Sequence, residues 1–338
     1  MKRRATIATV AEQAGVGVGT VSRYLNGGYV SAEVRTLLSQ VIAKLGYRRS
    51  ATARNLSLGQ KGCIGVTVDS SVDPWFTQLL SGIEEGLAAH DTSLMLCSLE
   101  LRGEYDPSPV LGWIRDRRID GLIIAKSQKR ERSLLQSAVD EGLPTVMVAP
   151  DEEVRDVHVV RCDNRAAGMA IANHLADLGH SRIAFAAGPQ HSVDSKHRLA
   201  GLREGLAKRG IQFDLRSVFS CNSWEAEAGA GFAETLLAKP LRITALVMAN
   251  DALALGFMRY AQQYRVRIPA QLSVAGFDDV PEGAYVWPGL TTVAQPMREM
   301  GNAACRVLLE TITGEIGLQR IEFPMELHAR ESTAPPPR

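Results

Sequence analysis

Residues 7–25 read IATVAEQAGVGVGTVSRYL, two short amphipathic segments on either side of a glycine-containing turn. In the first segment, apolar side chains recur every three or four residues over Ile7–Ala14, a spacing that predicts a helix with Thr6 as its N-cap. Gly15 is expected to end this helix, because glycine enters the left-handed conformation at little cost. Residues 18–25 repeat the apolar spacing and predict a second helix. Two short helices joined in this way predict a helix-turn-helix unit.

A third helix is predicted over residues 32–45, which contain the clearest helical period of the chain. Ser31 is placed to cap its start and Gly46 to cap its end. The three predicted helices form a small all-α headpiece that we delimit at residues 1–48. Residues 49–61 follow as a basic hinge or linker with too few apolar side chains to fold alone, and such a segment can become ordered on DNA.

Charge is distributed unevenly along the 338 residues, although the whole chain carries a net charge of only +1. Residues 1–61 hold ten lysines and arginines and two acidic residues, a net charge of +8. The remainder holds 28 basic and 35 acidic residues, a net charge of −7. A small basic unit attached to a larger acidic body predicts a polyanionic partner, such as double-stranded DNA, for the basic unit alone.

The sequence disfavours several classes of protein. No apolar run reaches the roughly 18 residues that a membrane helix needs, and the first residues lack the apolar stretch of a secretory signal. The five cysteines are scattered without a CxxC pair, which disfavours a zinc site or disulfide framework and predicts reduced thiols in the cytoplasm. Residues 15–20 look like a phosphate-binding glycine loop, but they lack its Lys-Ser/Thr and a preceding strand. We expect no metal, no cofactor and no enzymatic activity.

From residue 63 onward, short apolar runs alternate with helical patterns. Strands are predicted at residues 63–68, 93–99, 121–125, 145–148, 157–161, 182–187, 245–249 and 272–277. Helices are predicted between them at residues 76–90, 134–141, 165–178, 198–209, 225–237 and 252–264. This alternation predicts parallel sheets covered by helices on both faces. About ten strands in roughly 270 residues exceed one such domain, so we expect an α/β body of two lobes.

Polar and aromatic side chains cluster where predicted strands end and helices begin. They are Asp69, Asp163, Asn164, Asn250 and Asp278 after strands, and Arg198 and Trp224 near helix starts. Ligands of doubly wound sheets bind beyond the carboxyl ends of the strands. Carboxylates, an amide and a guanidinium can pair with vicinal hydroxyls, and an aromatic ring can cover an apolar sugar face. Singly, an Asp after a strand is often a helix cap and a Trp is often core, but their joint placement predicts a site for a polyhydroxylated ligand.

The headpiece closely resembles that of the lactose repressor (LacI/GalR) family of transcriptional regulators. The resemblance is carried by residues 7–16, 20–26, 30–31 and 45–47. It implies that the second helix lies in the major groove, with Arg23 as the main reader of guanine. It also implies that Ala53 and Leu56 form a hinge-helix pair whose leucine enters the minor groove. The implied DNA-binding residues are Thr6, Val18, Gly19, Thr20, Ser22, Arg23, Asn26, Tyr47, Ala53 and Leu56.

The headpiece departs from the family pattern at three places. Gly17 stands where a serine or threonine cap is usual, and Gly19 stands where a polar residue is common. Because each glycine costs a helix about 1 kcal/mol, we expect the recognition helix to be only weakly stable before it docks on DNA. Arg49 and Ser50 replace the usual Pro-Asn, which leaves the hinge less preset, with Arg48 and Arg49 available for phosphate contacts.

The body resembles the effector domain of the same family and is similar to periplasmic sugar-binding proteins. The matching motifs are residues 198–202, 250–256, 273–279 and 290–293. Matched position by position, the implied effector contacts are Asp69, Phe76, Asp163, Arg198, Trp224, Asn250, Asp278 and Gln295. The three crossings that join the lobes in this family are expected near Arg161, Leu290 and Gln319.

The expected fold is therefore a small all-α helix-turn-helix headpiece plus an α/β two-lobed, periplasmic-binding-protein-like effector domain. We delimit the effector-binding and dimerisation domain at residues 62–330. Its N-lobe is expected at about residues 62–161 plus 291–319, and its C-lobe at about residues 162–290 plus 320–330. Residues 331–338 are expected to form a flexible tail, and the absence of heptads there favours a homodimer over a zippered tetramer.

These features predict a cytoplasmic, sequence-specific repressor of carbohydrate-metabolism genes. A homodimer would place two recognition helices on a pseudo-palindromic operator, and a small sugar or sugar derivative would release it. Two alternatives remain open: the same scaffold with a co-repressor such as a purine, stacked by Trp75, Phe76 and Trp224, and a sugar-binding transport protein without DNA. The acid-rich lining favours hydroxyls over a flat base, and the basic headpiece argues against a transport protein.

Overall fold

The computed structural model of the protein describes residues 5–25, 27–47, 60–68, 74–101, 104–125, 132–151, 154–314 and 316–337. The chain forms two compact units, Met1–Gly62 and Cys63–Arg338. Among the described helices, none has both the length and the apolar character that crossing a lipid bilayer requires.

The described part of the first unit contains three packed helices, α1 Ile7–Ala14, α2 Val18–Leu25 and α3 Ala32–Leu45. Their bounds are those predicted from the apolar spacing. Aliphatic side chains from all three helices are buried between them: Val10, Ala11, Ala14, Val21, Leu38 and Val41. The predicted helix-turn-helix fold is thereby confirmed.

The ends of these helices are set by specific caps. The Oγ1 of Thr6 accepts a hydrogen bond from the backbone N–H three residues on, at 3.3 Å, and the Oγ of Ser31 does the same at the start of α3, also at 3.3 Å. Gly15 and Gly46 follow α1 and α3 with φ angles of 60° and 59°. This left-handed conformation suits glycine because it has no Cβ atom, and it stops each helix where the sequence predicts.

Strands and helices alternate along most of the described part of the second unit. Its strands are β1 Cys63–Val68, β2 Ser93–Ser98, β3 Glu100–Leu101, β4 Glu104–Tyr105, β5 Gly121–Ala125, β6 Thr145–Val148, β7 His158–Cys162, β8 Ile183–Ala187, β9 Val218–Ser220, β10 Ala245–Met248, β11 Ser273–Asp278, β12 Thr291–Ala294, β13 Arg320–Phe323 and β14 Glu326–His328. Its helices are α4 Pro74–Leu87, α5 Ser108–Arg115, α6 Arg132–Asp140, α7 Asn164–Asp177, α8 Val193–Lys208, α9 Ala226–Leu237, α10 Asp251–Gln263, α11 Pro281–Tyr285 and α12 Met297–Thr313.

Two six-stranded sheets form the cores of two lobes. The first has the order β13-β7-β6-β5-β1-β2 and is parallel throughout. The second has the order β14-β12-β11-β10-β8-β9 and is parallel except where β14 runs antiparallel to β12. The central strands β5, β6 and β10 are buried at every residue, as expected for parallel strands covered on both faces. The predicted two-lobed α/β body is confirmed.

The chain passes between the lobes three times. The passage predicted near Arg161 agrees with the structure, whereas the positions predicted near Leu290 and Gln319 are wrong. Strand pairing decides this, because β7 and β13 pair in the first sheet, whereas β12 pairs with β11 in the second. The passages therefore follow Cys162, Ala294 and Phe323. Residues 291–294 belong to the second lobe and residues 320–323 to the first, since main-chain hydrogen bonds tie each strand to its sheet.

Three helix pairs cross at glycines that face the partner helix. They are α4 with α12 through Gly82 and Gly301, α7 with α8 through Gly168 and Gly201, and α9 with α10 through Gly229 and Gly256. A Cβ atom at any of these six positions would overlap a carbonyl oxygen of the partner helix. Those oxygens all lie in the first two turns of their helices. The helices of each pair thus touch backbone to backbone, and we call these contacts the glycine crossings.

The described end of the chain is packed on the second lobe, so the flexible tail predicted at residues 331–338 is wrong. Ser332 is fully buried, and its Oγ donates a hydrogen bond to the carbonyl of Val274 at 2.6 Å. The carbonyl of Ala334 accepts a hydrogen bond from Nε2 of His180 at 2.8 Å. Hydrogen bonds rather than apolar side chains hold this segment on the lobe. Its sequence therefore has no hydrophobic period from which the packing could be predicted.

Candidate functional site

A cleft lies between the two lobes at the carboxyl ends of their strands. It is lined by Ala149, Asp151, Asp194, Arg198, Trp224, Asn250, Asp278 and Gln295. Ala149 and Asp151 follow β6 of the first lobe, and most of the other residues come from the second lobe. Parallel strands bring the loops that follow them to one edge of the sheet, where the ligands of such folds bind.

Arg198 of α8 is at the centre of the hydrogen bonding in the cleft and is only 2% exposed. Its Nε donates to Oδ1 of Asn164 at 2.7 Å, its Nη1 donates to the carbonyl of Ala249, and its Nη2 lies 3.5 Å from Oδ1 of Asp278. Its guanidinium carbon lies 4.8 Å from the ring centre of Phe277. These partners orient the guanidinium, and they compensate a positive charge that would otherwise be costly to bury.

Two side-chain amides extend this hydrogen bonding in opposite directions. Asn164 donates through Nδ2 to Oδ1 of Asp194 at 2.8 Å. Gln295 donates through Nε2 to Oδ1 of Asp278 at 2.5 Å and accepts through Oε1 from the indole N–H of Trp75 at 3.3 Å. The result is a continuous series across the cleft, which we call the polar chain: Trp75, Gln295, Asp278, Arg198, Asn164 and Asp194.

One wall of the cleft is aromatic. Trp224 precedes α9 and packs against Gly188, where an added Cβ atom would be 2.6 Å from Cζ3 of the indole. Its carbonyl accepts a hydrogen bond from Nδ2 of Asn250 at 3.1 Å. The Oδ1 of Asn250 in turn caps α10 by accepting from the N–H of Leu253 at 3.0 Å. The indole and the amide are therefore held in fixed positions beside the same space.

The strand-end loop that carries Asp278 rests on a buried carboxyl group. Asp251 is fully buried, and it accepts hydrogen bonds from Oγ1 of Thr292 at 2.7 Å and from the N–H of Val280 at 3.1 Å. Burial, and next the charge of Asp278, raise the pKa of Asp251 well above its usual range. Asp278 and Asp279 have positive φ angles of 117° and 57°, a strained backbone that these contacts hold in place.

Five of the eight predicted effector contacts come together in the cleft: Arg198, Trp224, Asn250, Asp278 and Gln295. Phe76 instead lies in the core of the first lobe, 1% exposed, with its ring edge-to-face against Trp75 at 5.2 Å. Asp163 caps α7 by accepting from the N–H of Ala166 at 2.8 Å and does not line the cleft. Asp69 lies outside the described residues.

Sequence reasoning missed Asp151 and Asp194. Asp151 lies just beyond the end of β6, so the rule that located Asp278 at a strand end would have found it. Its Oδ1 accepts a hydrogen bond from Oγ of Ser192 at 3.0 Å, which links the two lobes. Asp194 lies in the first turn of α8, but the apolar period is visible only from residue 198 onward, so the predicted helix began too late.

The predicted DNA-contacting residues of α2 form part of the headpiece surface. Val18, Gly19 and Arg23 are exposed, and Thr20 and Ser22 are half-buried. The helix is continuous over Val18–Leu25 in spite of the glycine within it. Its exposed face can therefore present a guanidinium, hydroxyl groups and a valine methyl to base edges and phosphates.

The other predicted DNA-binding residues have different surroundings. Thr6 is exposed and caps α1, whereas Tyr47 is half-buried against the headpiece core. Asn26, Ala53 and Leu56 lie outside the described residues. Tyr29, between α2 and α3, was not predicted, although it is 86% exposed and is an aromatic side chain on a basic unit.

Comparisons with known proteins give a consistent result over almost the whole chain. Residues 6–50 match the family described as bacterial regulatory proteins, lacI family, and residues 172–333 match the periplasmic binding protein-like domain. The ribose operon repressor of Escherichia coli (strain K12) is 31% identical over 313 residues, which cover 91% of this chain and 93% of the repressor. The HTH-type transcriptional repressor PurR of Aliivibrio salmonicida (strain LFI1238) is 30% identical over 334 residues, which cover 97% and 98%.

Solved structures agree with these sequence matches. The lac repressor dimer bound to operator and the anti-inducer ONPF is 27% identical, with a TM-score of 0.81 over 98% of this chain and 100% of that chain. The complex of the transcriptional regulator CelR with cellobiose is 29% identical, with a TM-score of 0.74 over 97% of this chain and 100% of that chain. The chain therefore belongs to the lacI family of bacterial regulatory proteins, as a transcriptional regulator with a helix-turn-helix headpiece and a periplasmic-binding-protein-like effector domain.

Proposed function

We propose that the protein represses genes of carbohydrate metabolism by binding operator DNA, and that it releases the DNA when its cleft takes up a small sugar or sugar derivative. One relative is named a ribose operon repressor, and two similar structures hold cellobiose and ribose. A ligand that prefers one arrangement of the lobes shifts the whole protein toward that arrangement, which couples the cleft to the DNA-binding headpiece.

The chemistry of the cleft carries this proposal. Asp278 and Asp151 supply carboxylate acceptors, and Arg198 supplies a guanidinium donor, all around one space. Neighbouring hydroxyl groups of a sugar can donate to the carboxylates and accept from the guanidinium at the same time. The indole of Trp224 packs against Gly188 and lines the cleft, where it can cover the apolar C–H face of a sugar ring.

The test uses the purified full chain in two steps. Sheared genomic DNA is first selected by the protein at moderate salt and sequenced, which should recover a short pseudo-palindrome. Ribose, cellobiose, glucose, guanine and hypoxanthine are then titrated into the complex with that operator. A sugar that weakens operator binding at least tenfold supports the proposal, whereas a purine that strengthens it favours the co-repressor alternative. Failure to select any sequence with or without these ligands would contradict a regulatory function.

Within the headpiece, we propose that Arg23 is the main reader of base identity. Its exposed guanidinium can donate two parallel hydrogen bonds to O6 and N7 of guanine. Arg23→Ala is expected to reduce discrimination against the wrong base by about 1–3 kcal/mol, measured by repeating the selection with the variant. Lys44→Ala, in the last turn of α3, is the control and should leave the selected motif unchanged. Recovery of the wild-type motif by Arg23→Ala would show that this assignment is wrong.

We also propose that the protein acts as a homodimer on DNA in the cytoplasm. A lac repressor structure similar to this chain is described as a dimer bound to operator. In the second lobe, Tyr285 and Trp287 are 87% and 82% exposed, and Trp287 borders a groove that includes Leu255 and Met258 of α10. Exposed aromatic side chains beside an apolar groove are typical of protein interfaces, so this face is the proposed contact between second lobes.

A further inference from the structure

Trp75 differs from most of the polar chain because it belongs to a first-lobe helix. It lies in the first turn of α4, and its ring is buried in the core of that lobe. A buried indole N–H needs an acceptor, and this one donates to the side-chain oxygen of Gln295, a residue that lines the cleft. A core side chain of the first lobe is thus in direct contact with the ligand site.

The chemistry of the groups fixes the direction of these hydrogen bonds. An indole N–H only donates, and an ionised carboxylate only accepts. Gln295 lies between Trp75 and Asp278, so its oxygen must face the indole and its NH₂ must face the carboxylate. Rotating the amide by 180° would set two donors against each other at Trp75 and two acceptors against each other at Asp278. The amide cannot reorient without disturbing both contacts.

Gln295 also lies where the chain passes from the second lobe to the first. It follows β12 and precedes α12, which contacts α4 through the glycine crossing of Gly301 and Gly82. Because α4 carries Trp75, the indole and the start of α12 are held by one closely packed helix pair. Asp278, by contrast, ends β11 of the second lobe. The backbone N–H of Gln295 also donates to the carbonyl of Asp278 at 3.4 Å, so Gln295 is tied to the second lobe, and its side-chain bond with Trp75 joins the two lobes.

We propose that Trp75 is a positioning residue that transmits occupation of the cleft to the first lobe through Gln295. This inference rests on the proposed function, because it requires a ligand that bonds to Asp278. A ligand hydroxyl that donates to Oδ1 of Asp278 competes with the NH₂ of Gln295 for the same oxygen. The amide then moves, and the indole bond at its other end lengthens or breaks. This loss affects both the start of α4, which carries Trp75, and the segment before α12, which carries Gln295.

The variant Trp75→Phe keeps an aromatic ring in the core and removes only the N–H donor. We define the coupling ratio as the operator affinity without effector divided by that with effector. In Trp75→Phe this ratio is expected to be about three- to ten-fold lower than in the wild type, the range that corresponds to the loss of one hydrogen bond. Its affinity for the effector alone should change by less than about threefold.

Trp113→Phe is the matched control for this variant. Trp113 lies in a separate apolar cluster of the first lobe, with Ile119 and Leu122, away from the polar chain. The coupling ratio of Trp113→Phe should equal that of the wild type. The urea unfolding midpoints of the two variants should be compared, to exclude a general loss of stability. A wild-type coupling ratio in Trp75→Phe would overturn the inference.

The indole N–H resonance of Trp75, assigned by its loss in Trp75→Phe, is a readout that a purely structural role would not move. Gln295→Leu should shift this resonance in the ligand-free protein and leave that of Trp113 in place. Saturating effector should also shift it in the wild type. An unmoved resonance in either experiment would overturn the inference. If no tested ligand binds the wild type, the proposed function fails, and the Gln295→Leu spectrum separately decides whether the indole–amide bond exists.

Discussion

The buried guanidinium of Arg198 connects three separate parts of the second lobe. Its partners Asn164, Ala249 and Asp278 belong to α7, to the loop after β10 and to β11. Removing it would take away the donor that Asp278, Asn164 and Ala249 share. Buried acceptors left without this donor cost more free energy than the hydrogen bonds contribute to stability. Both the shape of the cleft and part of the stability of this lobe therefore depend on one side chain.

Arg198→Met tests this dependence because it keeps much of the side-chain length and removes every donor. We expect effector affinity to fall at least 100-fold and the free energy of unfolding to fall by about 3–5 kcal/mol, the usual effect of breaking a buried pair. Arg203→Met, on the exposed side of the same helix, is the control and should stay within about 0.5 kcal/mol of the wild type. Calorimetric titration and urea unfolding measure the two effects. An effector affinity within threefold of the wild type would contradict the central place of Arg198.

How far the cleft could be predicted depended on the position of each residue. Asn250 and Asp278 directly follow apolar strands, so their clustering could be inferred from topology alone. Gln295 came only from the family resemblance, because it follows β12, a short strand that the apolar pattern did not indicate. Asp194 was missed since the first turn of α8 is polar. Phe76 was assigned to the ligand, although packing places it in the core.

At the scale of helices, sequence reading had both a success and a failure. α7 and α10 were predicted within one residue at each end, because large aliphatic side chains mark the faces that cover their sheet. α12 was not predicted, although it is 17 residues long. Met300, Val307 and Leu308 recur at helical spacing on its buried face, so the period was present in the sequence and was overlooked.

A pair of glycine substitutions separates close packing from helix propensity. In Gly201→Ala the new methyl group would overlap the carbonyl of Arg165, so α7 and α8 must separate, and we expect a loss of at least about 2 kcal/mol. Gly231→Ala in α9 has open space around the new methyl group and should stabilise the protein by up to about 1 kcal/mol. Thermal and urea unfolding measure both. Equal effects of the two substitutions would show that the crossing is not tightly packed.

The docked C-terminal segment adds a dependence on pH. His180 bonds to Ala334, and His174 bonds through Nε2 to Oγ1 of Thr333 at 2.9 Å. Burial lowers the pKa of both imidazoles below their ordinary value of 6.5. The unfolded chain therefore takes up protons first as the pH falls. The stabilisation from these two neutral histidines is complete above pH 6.5 and is lost as the pH falls from 6.5 through their lower folded-state values.

We expect the free energy of unfolding to depend less steeply on pH below 6.5 in His180→Gln than in the wild type. Asp251 acts in the opposite direction, because its raised pKa makes the folded state the better proton acceptor as the pH falls. The difference between variant and wild type is therefore the informative quantity. Urea unfolding at several pH values between 5 and 8 provides it, with the exposed His90→Gln as control. Parallel curves for wild type and His180→Gln would contradict this account.

At the scale of the whole molecule, the proposed dimer depends on the exposed aromatic segment after α11. Trp287→Asp would place a charge in the centre of that contact, so we expect the protein to change from dimer to monomer and to lose at least tenfold in operator affinity. Leu215→Asp changes another exposed apolar side chain of the same lobe and should leave both quantities unchanged. Light scattering after size-exclusion chromatography and operator titration measure them. A Trp287→Asp protein that remains dimeric would place the interface elsewhere.

The arrangement of lobes could be predicted from the alternation of strands and helices, but two of the three points of passage between them could not. β12 and β13 are four residues long and lie beside a passage, so no pattern within them shows which sheet they join. Only the hydrogen bonds to β11 and β7 decide the matter. The polar docking of Ser332 was hidden for a similar reason, because single hydrogen bonds leave no period in a sequence.

Backbone contact at the glycine crossings leaves the six paired helices no room to shift when a side chain near their first turns is exchanged. Trp224, Asn250 and Gln295 line the cleft and lie just before those turns. The six glycines therefore fix the positions of the helices around the binding site, whereas other side chains determine which ligand binds. New recognition properties can be sought by randomising the three side chains while the six glycines are left untouched. The scaffold is therefore a starting point for biosensors. In such a sensor, the side chains at the helix starts determine which analyte binds, and the glycine crossings provide the rigidity.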